Sequence, residues 1–192
     1  DTDRSRGLGD VYKRQIIYLM EILDTTIRGR KDIEDKLSIP FLGDIPEYHG
    51  STRQGSVVVR DNGRDSVSEA FRLIRSNLGF MSVKSGKLQI IMVTSSNPHA
   101  GKTFVTTNLA MTLALADKKV VIVDLDLRRR TLSKQMGQRD NRNGVSGYIS
   151  GTIANLNDIV FQSGLHENLD IIFAGLQPVS YTHLRAHETD QY

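Results

Sequence analysis

Two short stretches carry side chains suited to chemistry on a phosphorylated ligand. The first is SSNPHAGKTF, Ser95 to Phe104. Its Gly-Lys-Thr ending is that of a phosphate-binding loop. Lys102, at a helix start, can carry its ammonium to the β- and γ-phosphates of a nucleotide, and Thr103 offers a hydroxyl to Mg²⁺. Successive loop N–H groups, with the free N–H groups of a first helical turn, form a nest for anionic oxygens. The match to G-x-x-x-x-G-K-[ST] is incomplete. Ser96 takes the place of the first glycine, and Asn97, Pro98, His99 and Ala100 fill the middle. Gly101 is retained where backbone approach is closest. The expected nucleotide contacts run from Ser96 through Phe104. The competing reading is a surface turn at a helix start, with His99 an ordinary solvated loop side chain.

The second stretch is VIVDLDLR, Val121 to Arg128. In a strand, Asp124 and Asp126 point to the same side. Both lie at the carboxyl end of an apolar run, where parallel α/β sheets keep their ligand crevice. Asp124 can hold Mg²⁺ directly or through water, and Asp126 can take a proton from an attacking hydroxyl. Arg128 can neutralise ligand charge or pair with Asp126. The 22 positions from Lys102 to Asp124 leave room for one helix and a return strand. A solvated strand end is the competing reading.

These residues need elements to position them. Leu88 to Thr94 is apolar and β-branched, as a buried parallel strand is, and feeds directly into the loop. Lys102 to Ala116 reads as a helix, Val120 to Asp124 as a second strand and Leu169 to Gly175 as a third. Ser66 to Met81 has a helical stripe of Phe71, Ile74, Leu78 and Met81, with Ser66 or Ser68 as its cap. Asn141 to Ile153 reads as loops with a short helix, and Leu156 to Phe161 as helical. The alternation predicts an α/β fold of the P-loop kind, a mostly parallel sheet with helices on both faces. Upstream, Ile16, Leu19, Met20, Leu23 and Ile27 space out a helix over Ile16 to Arg30, and a short one follows over Asp32 to Leu37. FLGDIP, Phe41 to Pro46, reads as extended, and Tyr48 to Asp65, with VVV in its middle, as a loop.

The 192 residues carry a net charge of +3, with 39% apolar and 24% charged, enough apolar material for a packed core. The chain has no cysteine, which excludes disulfide and thiol chemistry. No run reaches the roughly 18 apolar residues of a membrane span. Nor is there the interleaving of aromatic and basic residues that would point to nucleic acid. The two ends, DTDRSRGLGDVYKRQ and PVSYTHLRAHETDQY, lack helix or strand periodicity and resemble translated adapter sequence. The expected organisation is therefore a foreign end over 1–15, a helix and linker over 16–65, a partial nucleotide domain over 66–177 and a second foreign end over 178–192. On that expectation the natural protein continues in both directions.

SSNPHAGKTF and VVIVDLDLRRRTL together resemble the cytoplasmic domain of the bacterial tyrosine kinases that regulate capsule and exopolysaccharide export. That family is related to the chromosome- and septum-partitioning ATPases. Ser96, Pro98, Gly101, Lys102 and Thr103 match its S-x-P-x-x-G-K-[ST] loop, and Asp124, Asp126 and Arg128 match its D-x-D-x-R motif. Glu69, Arg72 and Arg75 match its E-x-x-R-x-x-R oligomerisation motif. FLGDIP, NGVSGYISG and LDIIFAGLQP are similar to further segments, so the likeness runs from about Ile16 to about Pro178.

The resemblance implies MgATP-dependent phosphorylation of tyrosine, in trans between subunits of a ring assembled through the helix 66–81. Lys102 would stabilise the transferring phosphoryl, Thr103 and Asp124 would organise Mg²⁺, and Asp126 would orient or deprotonate the tyrosine hydroxyl. It also implies a place at the cytoplasmic face of the bacterial inner membrane. The partners implied there are the polysaccharide export and chain-length machinery. The family's later acidic motif and tyrosine-rich tail are not in this sequence, which a truncated chain accounts for. Two other functions compete. A partitioning-type ATPase usually has an additional lysine at the start of the loop, and here no Lys occurs between Lys87 and Lys102. A nucleotide-binding or scaffolding domain without catalysis would share the fold.

Overall fold

The computed structural model describes residues 2–24, 26, 29–35, 37–50, 56–82, 90–137 and 143–176, with backbone alone at 2–11 and 82. The chain divides into two compact units, 1–41 and 42–192.

The first unit holds α1 (Thr2–Leu23) and α2 (Arg30–Glu34). Helix α1 covers residues 2–15, where the sequence shows no helical spacing, and it stops at Leu23, short of the expected Arg30. Just past its end the Asp24 carboxylate accepts the Thr26 N–H at 2.9 Å, a local bond that competes with continuing the helix. Ile16, Leu19, Met20 and Leu23 are all exposed. Among the described residues no helix is long and apolar enough to cross a membrane. In α2, Arg30 pairs with Glu34 at 2.7 Å and lies over the Phe41 ring.

The second unit contains α3 (Ser66–Ser82), α4 (Lys102–Ala114), β1 (Val120–Val123), α5 (Thr131–Gln135), α6 (Val145–Ile149), a 3₁₀ turn (Leu156–Ile159), β2 (Val160–Gln162) and β3 (Leu169–Ile172). Helix α4 is its centre. It packs on α3 on one side and on β1 and β3 on the other. Phe71 of α3 meets Phe104 of α4 with ring centroids 6.1 Å apart. Leu109, Ala110, Met111 and Ala114 are buried with Ile122, Leu169 and Ile171 of the sheet. Helix α3 is capped by Asp65, and not by Ser66 or Ser68. Its carboxylate accepts the Ser68 N–H at 2.9 Å and the Ser68 hydroxyl at 2.6 Å. Burial pushes the Asp65 carboxyl up, but these bonds and those from nearby backbone N–H groups outweigh it and hold it below its ordinary value.

The sheet order is β1-β3-β2. β1 and β3 are parallel, with Val120 opposite Leu169 and Val123 opposite Ile172. β2 is antiparallel to β3, so the sheet is mixed where the sequence suggests mostly parallel pairing. The segment expected as helix over Leu156 to Phe161 divides at Val160 into the 3₁₀ turn and β2. The strand expected over Leu88 to Thr94 does not form among the described residues, and positions 88–89 lie outside them. Residues 90–94 are outside the sheet, with Ile90 86% and Met92 80% exposed. An apolar run becomes a strand only where another backbone edge accepts its hydrogen bonds.

Val57, Val58 and Val59, expected within a loop, are buried in the core against α4. Close backbone approach explains one glycine. A Cβ on Gly144 would collide with Gly175 N and Phe173 O. Its absence lets the start of α6 dock on the end of β3, where Val145 N donates to Phe173 O at 2.9 Å and Ser146 N to Ala174 O at 3.0 Å.

Candidate nucleotide site

The loop Ser95–Gly101 leads straight into α4, as the sequence predicts. Gly101 is the residue before the helix and is left-handed, with φ 87°. A Cβ there would meet nothing within 4 Å, so the backbone angle is the reason for glycine. His99 is also left-handed, at φ 63°. The loop thus turns twice before α4, beside the helix N–H groups that lack intrahelical partners.

Lys102 opens the helix and folds back over the loop. Its Nζ donates to Ser95 Oγ at 2.8 Å and to the Asn97 carbonyl at 3.3 Å. Ser95 Oγ in turn donates to the same carbonyl at 2.8 Å. The ammonium is therefore held against the loop and not extended into solvent. Ser96, Asn97, Pro98, His99, Ala100 and Gly101 are exposed, while Lys102, Thr103 and Phe104 are half-buried. Beside the loop lies a cavity of about 520 Å³, bordered by Ile45, Pro46, Tyr48 and Phe104.

The helix carrying this loop is anchored by a residue that the sequence reading passes over. Asn108 is fully buried. Its Oδ1 accepts the N–H groups of Val58 at 2.8 Å and Val59 at 3.1 Å. Its Nδ2 donates to Ser56 O at 3.1 Å and Phe104 O at 2.8 Å. The amide's hydrogen-bonding capacity is fully used, three of its bonds tying the segment 56–59 to α4 and the fourth staying within the helix. The signal in the sequence was a polar residue on a helix expected to be buried on most sides, together with the VVV run.

The second constellation differs from its sequence reading in one respect. Strand β1 ends at Val123, so Asp124 and Asp126 do not share a strand face. Asp124 is buried and Asp126 is exposed. The Asp124 N–H still continues the ladder, donating to Ile172 O at 2.9 Å. Its Oδ1 accepts the Asp126 N–H at 3.1 Å, and its Oδ2 accepts the Ser133 hydroxyl at 3.1 Å and N–H at 3.3 Å. Burial raises the Asp124 carboxyl above its ordinary value. These hydrogen bonds act against burial, and the neighbouring Asp126 charge adds to it. Ser133, on α5, was not legible as a site residue from spacing alone.

Asp126 caps the following turn by accepting the Arg129 N–H at 2.9 Å. Arg128, singled out by the motif, lies exposed on that turn. Arg129 is the arginine that reaches the loop, with Nη1 3.2 Å from His99 Nε2. This contact joins the two constellations across 30 residues.

The Thr103 hydroxyl and the Asp124 carboxylate are hard oxygens of the kind Mg²⁺ takes, and bound Mg²⁺ would supply charge neutralisation to nucleotide phosphates. Buried Asp124 fits such an ion chemically, since a cation relieves the cost of an ionised buried carboxylate. Among the described residues no three His, Asp or Glu side chains form a metal cluster.

All three oligomerisation candidates on α3 have partners within the chain. Arg72 pairs with Glu69 and donates to Gly63 O at 2.7 Å. Arg75 donates to Thr112 O on α4 at 3.0 Å.

The family described as CobQ/CobB/MinD/ParA nucleotide binding domain matches residues 91–185. The tyrosine-protein kinase etk of Escherichia coli K12 is 36% identical over 118 residues, covering 62% of this chain and 16% of its own length. The tyrosine-protein kinase YwqD of Bacillus subtilis is 37% identical over 88 residues, 46% of this chain and 37% of its own. The chain thus spans a minor part of these relatives. Among solved structures, the chimerical protein CapA2B2 is similar at 30% identity and TM-score 0.66, over 83% of this chain and 67% of that one. The kinase domain of the Escherichia coli tyrosine kinase ETK is similar at 27% identity and TM-score 0.69, over 87% and 70%. A loop that holds its lysine against Ser95 and Asn97, a helix beginning after a left-handed glycine, and this extent of likeness lead to one assignment: the chain belongs to the bacterial tyrosine-kinase family, as a P-loop nucleotide-binding domain.

Proposed function

We propose that this chain is part of an ATP-dependent protein-tyrosine kinase acting in capsule or exopolysaccharide production. The observation carrying this reading is Lys102, whose ammonium is held over a twice-turned loop at the start of α4. Ser96 through Phe104 bind the phosphates, largely through backbone N–H groups. Lys102 neutralises charge on the transferring phosphoryl, and Thr103 and Asp124 hold Mg²⁺. Asp126, exposed where Asp124 is buried, is the carboxylate open to an incoming tyrosine hydroxyl and can accept its proton. Arg128 contributes positive charge at the rim. Phosphoryl transfer asks chiefly for this positioning and charge stabilisation.

The same reading assigns homo-oligomer formation to the exposed part of α3 around Glu69, with Arg72 and Arg75 shaping that surface. It assigns the parent protein to the cytoplasmic face of the inner membrane, beside the polysaccharide export machinery. The test is transfer of labelled γ-phosphate from MgATP to a tyrosine-containing peptide. Transfer by the wild type, abolished in Lys102→Ala, is the expected result. Nucleotide binding with no transfer under any condition would instead favour an assembly domain without catalysis.

A further inference from the structure

We propose that Arg129 is a second phosphate-binding cation of this site, directed at the terminal phosphate of a nucleoside triphosphate, and that His99 is the positioning residue that holds it there. The inference rests on the nucleotide reading above and adds a residue that neither motif contains.

Two bonds fix Arg129. Its backbone N–H is held by Asp126 Oδ1 at 2.9 Å, which sets the turn. Its Nη1 lies 3.2 Å from His99 Nε2, which sets the side chain. A guanidinium has only donors, so Nε2 must accept. The imidazole that receives this bond is neutral and carries its proton on Nδ1. It is therefore an uncharged holder that does not cancel the arginine's charge, as a carboxylate would.

One N–H of the guanidinium is used in this contact, and the planar fork keeps others in a geometry suited to two oxygens of one phosphate. The place where the fork is held is the loop itself. His99 sits two residues before Gly101, and on this loop the Lys102 ammonium is already bound to Ser95 and Asn97. Lys102 brings one positive charge to a triphosphate, and Arg129 brings a second from the turn after Asp126. Both Arg129 and His99 are exposed, so their contact adds little to fold stability and their removal is expected to leave the fold intact.

The backbone of His99 allows a clean test. At φ 63° glycine is at ease and asparagine is tolerated. His99→Gly removes the acceptor and keeps the turn, while His99→Asn keeps an acceptor oxygen as well. Affinities of the 192-residue chain for a non-hydrolysable ATP analogue and for ADP, each with Mg²⁺, are measured by titration calorimetry, with melting temperature as control. Arg129→Gln is expected to weaken the ATP analogue about tenfold and ADP by less than about twofold, with an unchanged melting temperature. His99→Gly should follow Arg129→Gln, and His99→Asn should restore most of the difference. Equal weakening of both nucleotides, or of neither, in Arg129→Gln overturns the proposal. The nucleotide reading survives that failure if the wild type binds and Lys102→Ala does not. A wild type that binds neither nucleotide overturns both.

Discussion

Asp124 combines three properties that pull against one another: it is ionisable, buried and close to a second carboxylate. Burial raises its carboxyl, and the hydrogen bonds from Asp126 and Ser133 only partly offset that. The raised value means that the folded chain holds the proton more tightly than the unfolded chain does. Its contribution to stability is therefore most favourable below the unfolded value and is lost as pH rises through the folded one. Asp124→Asn removes this titration. Comparing the two by urea denaturation between about pH 4 and about pH 7, the variant should gain on the wild type as pH rises. A difference independent of pH would show that burial does not disfavour the charge. Asp65 is the opposite case, a cap held below its ordinary value by its hydrogen bonds. Its contribution is present above the unfolded value and is lost as pH falls through the folded one. Asp65→Ala should cost about 1 kcal/mol at neutral pH, read from the same denaturation curves.

At the scale of elements, α4 organises both the core and the loop. Its first turn carries Lys102 and Thr103, and its second carries Asn108. The Asn108 amide satisfies the N–H groups of Val58 and Val59, which are buried and paired with no strand. Asn108→Ala leaves both donors without that acceptor, a loss of about 2–4 kcal/mol that a thermal or urea melt would register. Nucleotide affinity should fall with it, because Ser56, whose carbonyl Asn108 holds, borders the cavity beside the loop. Unchanged stability would mean that the valines keep their place by apolar burial alone.

For the whole molecule, the proposed self-association surface and internal packing share α3. Arg75 holds a carbonyl of α4 and Arg72 one of the preceding loop, whereas the Glu69 side chain is 61% exposed. Glu69→Lys should therefore reduce assembly in sedimentation velocity while leaving the melting temperature within about 2 °C. Arg75→Ala should lower both. Loss of stability in Glu69→Lys, with assembly intact, would assign the whole motif to internal packing. Much of this arrangement was legible in the sequence. Apolar spacing gave α3, and a run rich in Ala, Leu and Thr gave α4, to within a few residues. The Gly-Lys-Thr ending placed a lysine at a helix start, and the apolar run before Asp124 gave β1, because these signals are local and rest on backbone geometry and side-chain period. Tertiary structure alone decided the rest. Val57 to Val59 join the core, and Asn108, some fifty positions away, accepts the N–H groups of Val58 and Val59. Ile90 to Thr94 remain outside the sheet although their composition suits a strand, since a strand exists only with a paired edge. Asp124 and Asp126 part company because the chain turns once β1 and the last ladder bond, from Asp124, are past, and Arg129, not Arg128, meets His99 because the turn after Asp126 aims it there.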